Sequence, residues 1–487
     1  MAIVKAIYSD AVIPEHEGNP LIEALPPIID DKTLIKKLSH FPRYDNSERT
    51  LDAHIRKYYV DRLDQLRQPL PEYIQCFRDI ERALFDSYSA KNPFSPTTNH
   101  YLHYLDYDET PVIPKTGIFR PKGSASTLLG VSGVGKTEML KQVLSYFDQA
   151  ISHSEYKGKS LNLTQINWIH VECPDDSSIR TFCHEILDEI NQVFGDDTKP
   201  DNTIGELQNQ IMKKVRSSFI GLIVIDDMQS LDIAKAGGDK RLINFILRLI
   251  NKSGVPFVFC GNPPLDKILK KKFRTARRAE SGGYIEMDVL DPVVWEEVVA
   301  PSIWRYQWTN EPTPLTDELR DKLYELSQGI LDIAIRIYKN AQKLVMGTPD
   351  ERITVQVLDN SYRHTCRLTD AGLTLLKSGA PYARDAYDDL FLSDDKSWLD
   401  IADQEIQKQT NNYHDANSED TRVEDGDFNR PQHPEFAEKL NSLRNQSHIL
   451  SKTFDKDVIR RAGTMREPIN ELKRSQYILE APLNLVG

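Results

Sequence analysis

The segment LLGVSGVGKTE (128–138) spaces Gly130, four residues, and then Gly135, Lys136 and Thr137. Glycines in this pattern let the backbone curl until its N–H groups converge on phosphate oxygens. A helix starting at Lys136 adds the positive end of its dipole. The lysine can then reach terminal phosphates, and the Thr137 hydroxyl can ligate Mg²⁺. Gly130, Ser132, Gly133, Val134, Gly135, Lys136, Thr137 and Glu138 are therefore expected to hold ATP. A second stretch, GLIVIDDMQSL (221–231), is an apolar run that ends in Asp226 and Asp227. A strand buried on both faces does not normally finish in paired acids.

Beside a phosphate loop the pair acquires roles. Asp226 is suited to hold Mg²⁺ together with Thr137, and Asp227 to polarise an attacking water; a solvated strand end is the other reading of each. An Asp at the second position sets its carboxylate back by ~1.5 Å relative to Glu. A displacement of ~1 Å at a catalytic group can cost about 10²-fold, so slow hydrolysis is one expectation. A third strand ends in Gly261 and Asn262. Asn262 can reach toward the terminal phosphate, and its place in an Asn-Pro-Pro turn accounts for its type equally well. Finally, 266–283 packs seven Lys/Arg between Lys267 and Arg278. Lys267–Lys272 reads as a solvated helix face as readily as a functional one, whereas Arg277 and Arg278 stand apart before SGG.

These groups need a scaffold, and the hydropathy pattern supplies one. Short apolar strands at 125–131, 165–174, 222–226 and 255–262 alternate with helical patterns at 136–150, 177–194, 203–218 and 240–253. Such alternation predicts an α/β fold, a parallel sheet flanked by helices. From 291 to about 368 the pattern turns helical, with a Thr N-cap before DELRDKLYELSQ. The expected division is an N-terminal extension (1–120) with one clear helix near 73–90, a nucleotide-binding core (121–290), a helical lid (291–370) and a C-terminal tail (371–487). Residues 403–430 read as an acidic linker or exposed surface, followed by a small helical element.

Composition sets outer bounds. The 487 residues are 39% hydrophobic and 28% charged, with no apolar run near the roughly 20 residues of a membrane span. Residues 1–20 have neither a positive n-region nor a long apolar stretch, so no signal peptide is expected there. Five dispersed cysteines without a C-x-x-C pair argue for a reducing, cytoplasmic setting and against zinc. The net charge of −12 does not exclude a nucleic-acid partner, because binding depends on local patches.

Beyond the phosphate loop, NPLIEALPP (19–27), SYSAKNP (87–93), TARRA (275–279) and YELSQGILDIAI (324–335) are similar to segments of the TnsC family. These are AAA+ regulators of Tn-seven-like bacterial transposons, and the similarity runs from about residue 10 to 370. The resemblance implies an AAA+ ATPase with N- and C-terminal extensions that assembles with ATP on double-stranded DNA, without sequence specificity, as a ring or helical filament. It further implies that the N-terminal extension meets a target-site selector and the tail meets transposase subunits. It assigns Asp226 to the Mg²⁺ site and Asp227 to a place where the family more often has Glu. It makes Asn262 a sensor of the terminal phosphate and Arg277 or Arg278 a finger completing a neighbour's site. Asp332 stands where a second sensor would carry Arg, leaving Arg336 as the substitute. Arg180, Lys235 and Lys240 are candidates for DNA phosphates, and each reads also as an ordinary surface charge. Two other functions share these motifs: a nucleotide-binding scaffold with little hydrolysis, and a replication-initiator or loader protein with a C-terminal winged helix.

Overall fold

The computed structural model describes residues 3–95, 98, 123–174, 178–196, 199–228, 238–270, 272–378 and 388–390. The acidic stretch 403–430, the C-terminal helical element and any winged helix there lie outside the described residues. So does Lys235. The parallel sheet expected from the sequence contains β2 (Ala125–Gly130), β5 (Trp168–Glu172), β6 (Leu222–Asp226), β7 (Phe257–Gly261) and β8 (Gly283–Met287). Their spatial order is β5-β6-β7-β2-β8, all parallel. The strand that precedes the acidic pair in the chain thus lies at the sheet edge, and β7 is the strand inserted between β6 and the loop strand β2.

Alternation with period two explains why these strands are apolar throughout. Ile223, Ile225, Phe257 and Phe259 face one layer of helices (Ile179–Phe194, Ile204–Ser217 and Gly238–Ser253). Two of these helices start on side-chain caps, Ser178 for the first and a Thr203/Glu206 capping box for the second. Leu222, Val224, Val258 and Cys260 face the other layer. There the helix Lys136–Ser145 is joined by Pro71–Ser89 and by Leu21, Leu34 and Leu38 from the N-terminal region. Pro71 occupies a first-turn position that needs no donor, and Ile74, Phe77, Ile80, Leu84 and Tyr88 recur on one face of that helix. The start of the chain therefore supplies a covering layer of the sheet.

One group in this layer is poorly served. Asp79 is buried against Gly283, its Oδ2 has no hydrogen-bond partner, and Arg82 reaches only Oδ1, at 3.4 Å. Burial raises its carboxyl to about 6, with Arg82 opposing. The folded pKa lies above the unfolded one, so the penalty is absent below about pH 4 and grows until about pH 6. Asp79→Asn should stabilise the protein by about 1–3 kcal/mol at pH 7.5. The gain should vanish near pH 4, as read by denaturant titration at both pH values.

The sequence pattern misplaced two elements. The strand expected over 165–174 is two strands, because a single residue separates β4 (Lys159–Ile166) from β5. The chain changes sheet at Asn167, whose buried amide donates to Asp148 O (2.6 Å) while its backbone N–H donates to Gln149 O (2.8 Å). The helix expected to residue 150 stops at Ser145, since β3 (Ala150–Tyr156) follows and pairs antiparallel with β4. Their turn places Lys157 (φ 49°) and Gly158 (φ 78°) in the left-handed region that hairpin turns require. The strand β1 (Ile3–Lys5) adds to β3 in parallel, making a second, three-stranded sheet.

The helical region after β8 forms its own core around Trp295, Trp308 and Tyr338. Thr316 caps the helix Asp317–Ser327, accepting from Leu319 N–H at 3.3 Å. Val60 and Leu63 from the N-terminal region complete this core. Arg56 ties the two together, donating to Trp308 O at 2.7 Å and to both carboxylate oxygens of Glu351 at 2.6 and 2.7 Å. No described helix is long and apolar enough to cross a membrane. None of the five cysteines forms a disulfide.

Candidate functional site

The phosphate loop joins β2 to the helix Lys136–Ser145 and depends on its glycines. Gly133 (φ 82°) and Gly135 (φ 99°) take left-handed backbone that L side chains adopt only with strain. A Cβ at Gly130 would lie 2.7 Å from Met287 O, so the loop can begin only with glycine. Val131 N–H donates to the same Met287 carbonyl at 3.1 Å, fastening the loop to the end of β8. Val134 is buried in the adjoining core.

Lys136 is buried and donates to Gly130 O (2.8 Å), Val131 O (2.9 Å) and Asn262 Oδ1 (2.8 Å). Burial lowers its pKa, opposed by Cys260, Asp226, Asp227 and Asp389. Asn262 at the end of β7 is thus brought directly onto the loop lysine. Asp226 is buried at the end of β6, and its Oδ1 accepts from Asp227 N–H at 2.9 Å. Burial would raise the Asp226 carboxyl, but His170, the Cys260 thiol and the Asp227 amide together hold it down at about 2. His170 Nε2 stands 3.4 Å from Asp226 Oδ2, without an aligned hydrogen bond. Asp227 is exposed and has φ 55°, in left-handed backbone.

Thr137 follows Lys136, half-buried, and its hydroxyl bonds no other described residue. The ionised Asp226 acts electrostatically on Lys136, next in the chain to Thr137. A hydroxyl and a carboxylate held ionised are donors suited to Mg²⁺, which takes few protein ligands and leaves the others to phosphates and water. No group of three or more His, Cys, Asp or Glu that could hold a metal occurs among the described residues. The left-handed glycines and the buried lysine likewise fit a polyphosphate.

Other expected residues lie elsewhere. The Glu138 carboxylate is exposed and pairs with Arg67 and, at 3.6 Å, with Lys141. Arg277 is exposed and Arg278 half-buried on the helix Phe273–Ala279, and neither side chain has a partner among the described residues. Arg180 is exposed in the first turn of the helix Ile179–Phe194. Lys240 falls within the helix Gly238–Ser253, but its side chain is outside the described residues. Arg336 is paired with Asp332, and Asp332 N–H donates to Gly133 O at 3.2 Å. The helical region after β8 therefore abuts the loop at Gly133, where an added Cβ would meet Ile330 Cγ2 at 2.8 Å.

The sequence reading missed His170 and Cys260. Strand alternation carries the signal for both, since Trp168, Leu222, Val224, Val258 and Cys260 all line one core. His170 and Asp226, two residues on from Trp168 and Val224, project to that same face. Only the register β5-β6-β7 makes the grouping visible.

The four segments that carry the resemblance have distinct places. Asn19 Nδ2 donates to Tyr88 O (2.9 Å), and Asn92 Nδ2 to Gly18 O (3.1 Å), so the first two interlock. Lys91, buried, donates to Ser87 Oγ and Ile220 O, both at 2.8 Å, and fastens them under β6. The third carries Arg277 and Arg278, and the fourth meets the loop.

No curated protein sequence matches this chain. Among solved structures, it is similar to the Orc1 protein of Aeropyrum pernix in complex with DNA, at 17% identity and a TM-score of 0.37, over 51% of this chain and 62% of that one. It is similar also to Cdc6p from Pyrobaculum aerophilum, at 14% identity and a TM-score of 0.38, over 67% and 72% of the two chains. A third is domain III of the Thermotoga maritima replication initiation protein DnaA, at 15% identity and a TM-score of 0.32, over 50% and 86%. The chain thus spans less than two thirds of the Orc1 protein's length. Residues 122–269 match the family described as AAA domain. With that match lying over the glycine loop, the acidic pair and the strands that hold them, the chain carries an AAA+ P-loop fold, a parallel sheet flanked by helices with N- and C-terminal extensions.

Proposed function

We propose that this protein is an ATP-controlled switch that assembles on double-stranded DNA without reading its sequence and couples target-site selection to transposase recruitment and activation. The observation that carries the nucleotide part is the convergence of Lys136, Asn262 and Asp226 at the ends of adjoining strands. In that reading Gly130–Glu138 supplies the loop, and Lys136 neutralises phosphate charge. Thr137 and Asp226 hold Mg²⁺, which supplies charge stabilisation at the transferred phosphoryl group. Asn262 orients Lys136 from the sheet side, and Asp227 takes the proton of an attacking water.

Arg277 and Arg278, with no side-chain partner among the described residues, are suited to a second copy's nucleotide site. Assembly as a ring or filament would then complete the site. The transposition role rests on the four segments similar to the TnsC family. On that resemblance, residues 1–120 meet the target selector and 371–487 the transposase, in the cytoplasm. A scaffold that binds nucleotide with little turnover is the second reading, favoured by the short side chain of Asp227.

Sedimentation of protein with duplex DNA and a non-hydrolysable ATP analogue tests this. Higher-order species should form with the analogue and fall away with rising salt, as phosphate contacts require. Lys136→Ala should abolish them. Assembly that ignores both nucleotide and Lys136→Ala would sink the proposal.

A further inference from the structure

We propose that the segment Asp388–Leu390 is a built-in competitor for the phosphate loop, an autoinhibitory strap that must leave before nucleotide is held. This rests on the nucleotide-site reading above. Ser132 N–H, one of the loop amides that should converge on phosphate oxygens, donates instead to Asp389 O at 3.0 Å. The Asp389 carboxylate acts electrostatically on Lys136, as a phosphate oxygen would. Leu390 packs against the helical lid core and gives the segment an apolar anchor. Backbone acceptor, anion and anchor thus come from two consecutive residues, Asp389 and Leu390, and the first two features address the groups that a polyphosphate needs.

The energetic consequence is a competition. A segment docked nine-tenths of the time raises the apparent Kd for nucleotide about tenfold. By reciprocity, nucleotide frees the segment, and anything that captures the freed segment tightens nucleotide binding by the same factor. The device would connect the C-terminal part of the chain to the state of the loop without any residue of the strap taking part in chemistry.

Titration of the full-length chain with a fluorescent ADP analogue and Mg²⁺ tests this in four forms: wild type, Lys136→Ala, Asp389→Asn and Leu390→Asp. Asp389→Asn keeps the shape and removes the charge, and Leu390→Asp removes the anchor. Both should bind about three- to tenfold more tightly than wild type. Hydrogen exchange in a peptide containing 388–390 should rise when the analogue is added to wild type. If wild type binds, Lys136→Ala does not, and both strap variants match wild type within twofold, the strap is refuted while the nucleotide site stands. If none of the four forms binds, or if Lys136→Ala binds like wild type, the nucleotide-site reading falls and takes the strap with it. Binding by the two strap variants but not by wild type would support the strap most directly.

Discussion

Asp227→Asn is expected to lower ATP hydrolysis by about 10²–10⁴-fold, the usual contribution of a positioned general base, with nucleotide affinity changed little. The reason lies in the division of labour between two adjacent acids. Asp226 is buried, held ionised near pKa 2, and bound to the Asp227 amide, so it sets the turn and, in the proposed function, is the acid assigned to Mg²⁺. Asp227 is exposed at φ 55°, beyond the strand end, where its carboxylate can meet water. Left-handed backbone also bears on why this residue is an Asp. Asp and Asn tolerate that region better than longer side chains, because their short polar groups bond locally. Asp227→Glu should therefore bring opposed effects: a carboxylate advanced by ~1.5 Å and a turnover gain of up to about 10²-fold, against a stability loss of about 1 kcal/mol. Single-turnover hydrolysis and denaturant titration separate the two. Unchanged hydrolysis in Asp227→Asn, with hydrolysis measurable in wild type, would remove Asp227 from the mechanism.

Glu351→Ala is expected to destabilise the protein by about 3–5 kcal/mol, because it leaves the buried Arg56 guanidinium without its counter-charge. Glu351 also accepts from Gly347 N–H (2.8 Å) and Asn310 N–H (2.7 Å), and those donors would be stranded too. Burial would raise its carboxyl, but Arg56 and the two amides hold it at about 2. The folded pKa lies below the ordinary 4.5, so this stabilisation is complete above about pH 4.5 and is lost as pH falls toward 2. The difference between wild type and Glu351→Ala in denaturant midpoint should be largest at pH 7 and shrink by pH 3. An equal gap at both pH values would show that Arg56 and Glu351 do not act as a charged pair. Since Arg56 belongs to the N-terminal region and Glu351 to the helical region after β8, the variant should loosen that junction first, which hydrogen exchange would localise.

What could be read in the chain alone was local. The loop spacing at Gly130, Gly135, Lys136 and Thr137 identifies itself, because phosphate binding imposes both residue types and intervals. The apolar runs of β2, β6 and β7 announce a parallel sheet, since strands buried on both faces must be apolar throughout. The helix at Asp317–Ser327 declares its start through Thr316. Periodicity failed at 145–168, where a hairpin and a change of sheet follow one another within a few residues. No window there is long enough to separate β4 from β5, and the switch at Asn167 is made by hydrogen bonds to a distant turn.

Tertiary structure decided the rest, for reasons of register and packing. Sequence alone paired Asp226 with the loop, but only the order β5-β6-β7 brings His170 and Cys260 to the same carboxylate. Sequence placed residues 20–89 ahead of the core, and only packing makes them a layer of it. The meeting of Ser132 with Asp389, more than 250 residues apart in sequence, left no trace in any local pattern. Local backbone chemistry selects residue types over a few positions, whereas contacts across the chain are chosen by the burial and pairing of whole elements.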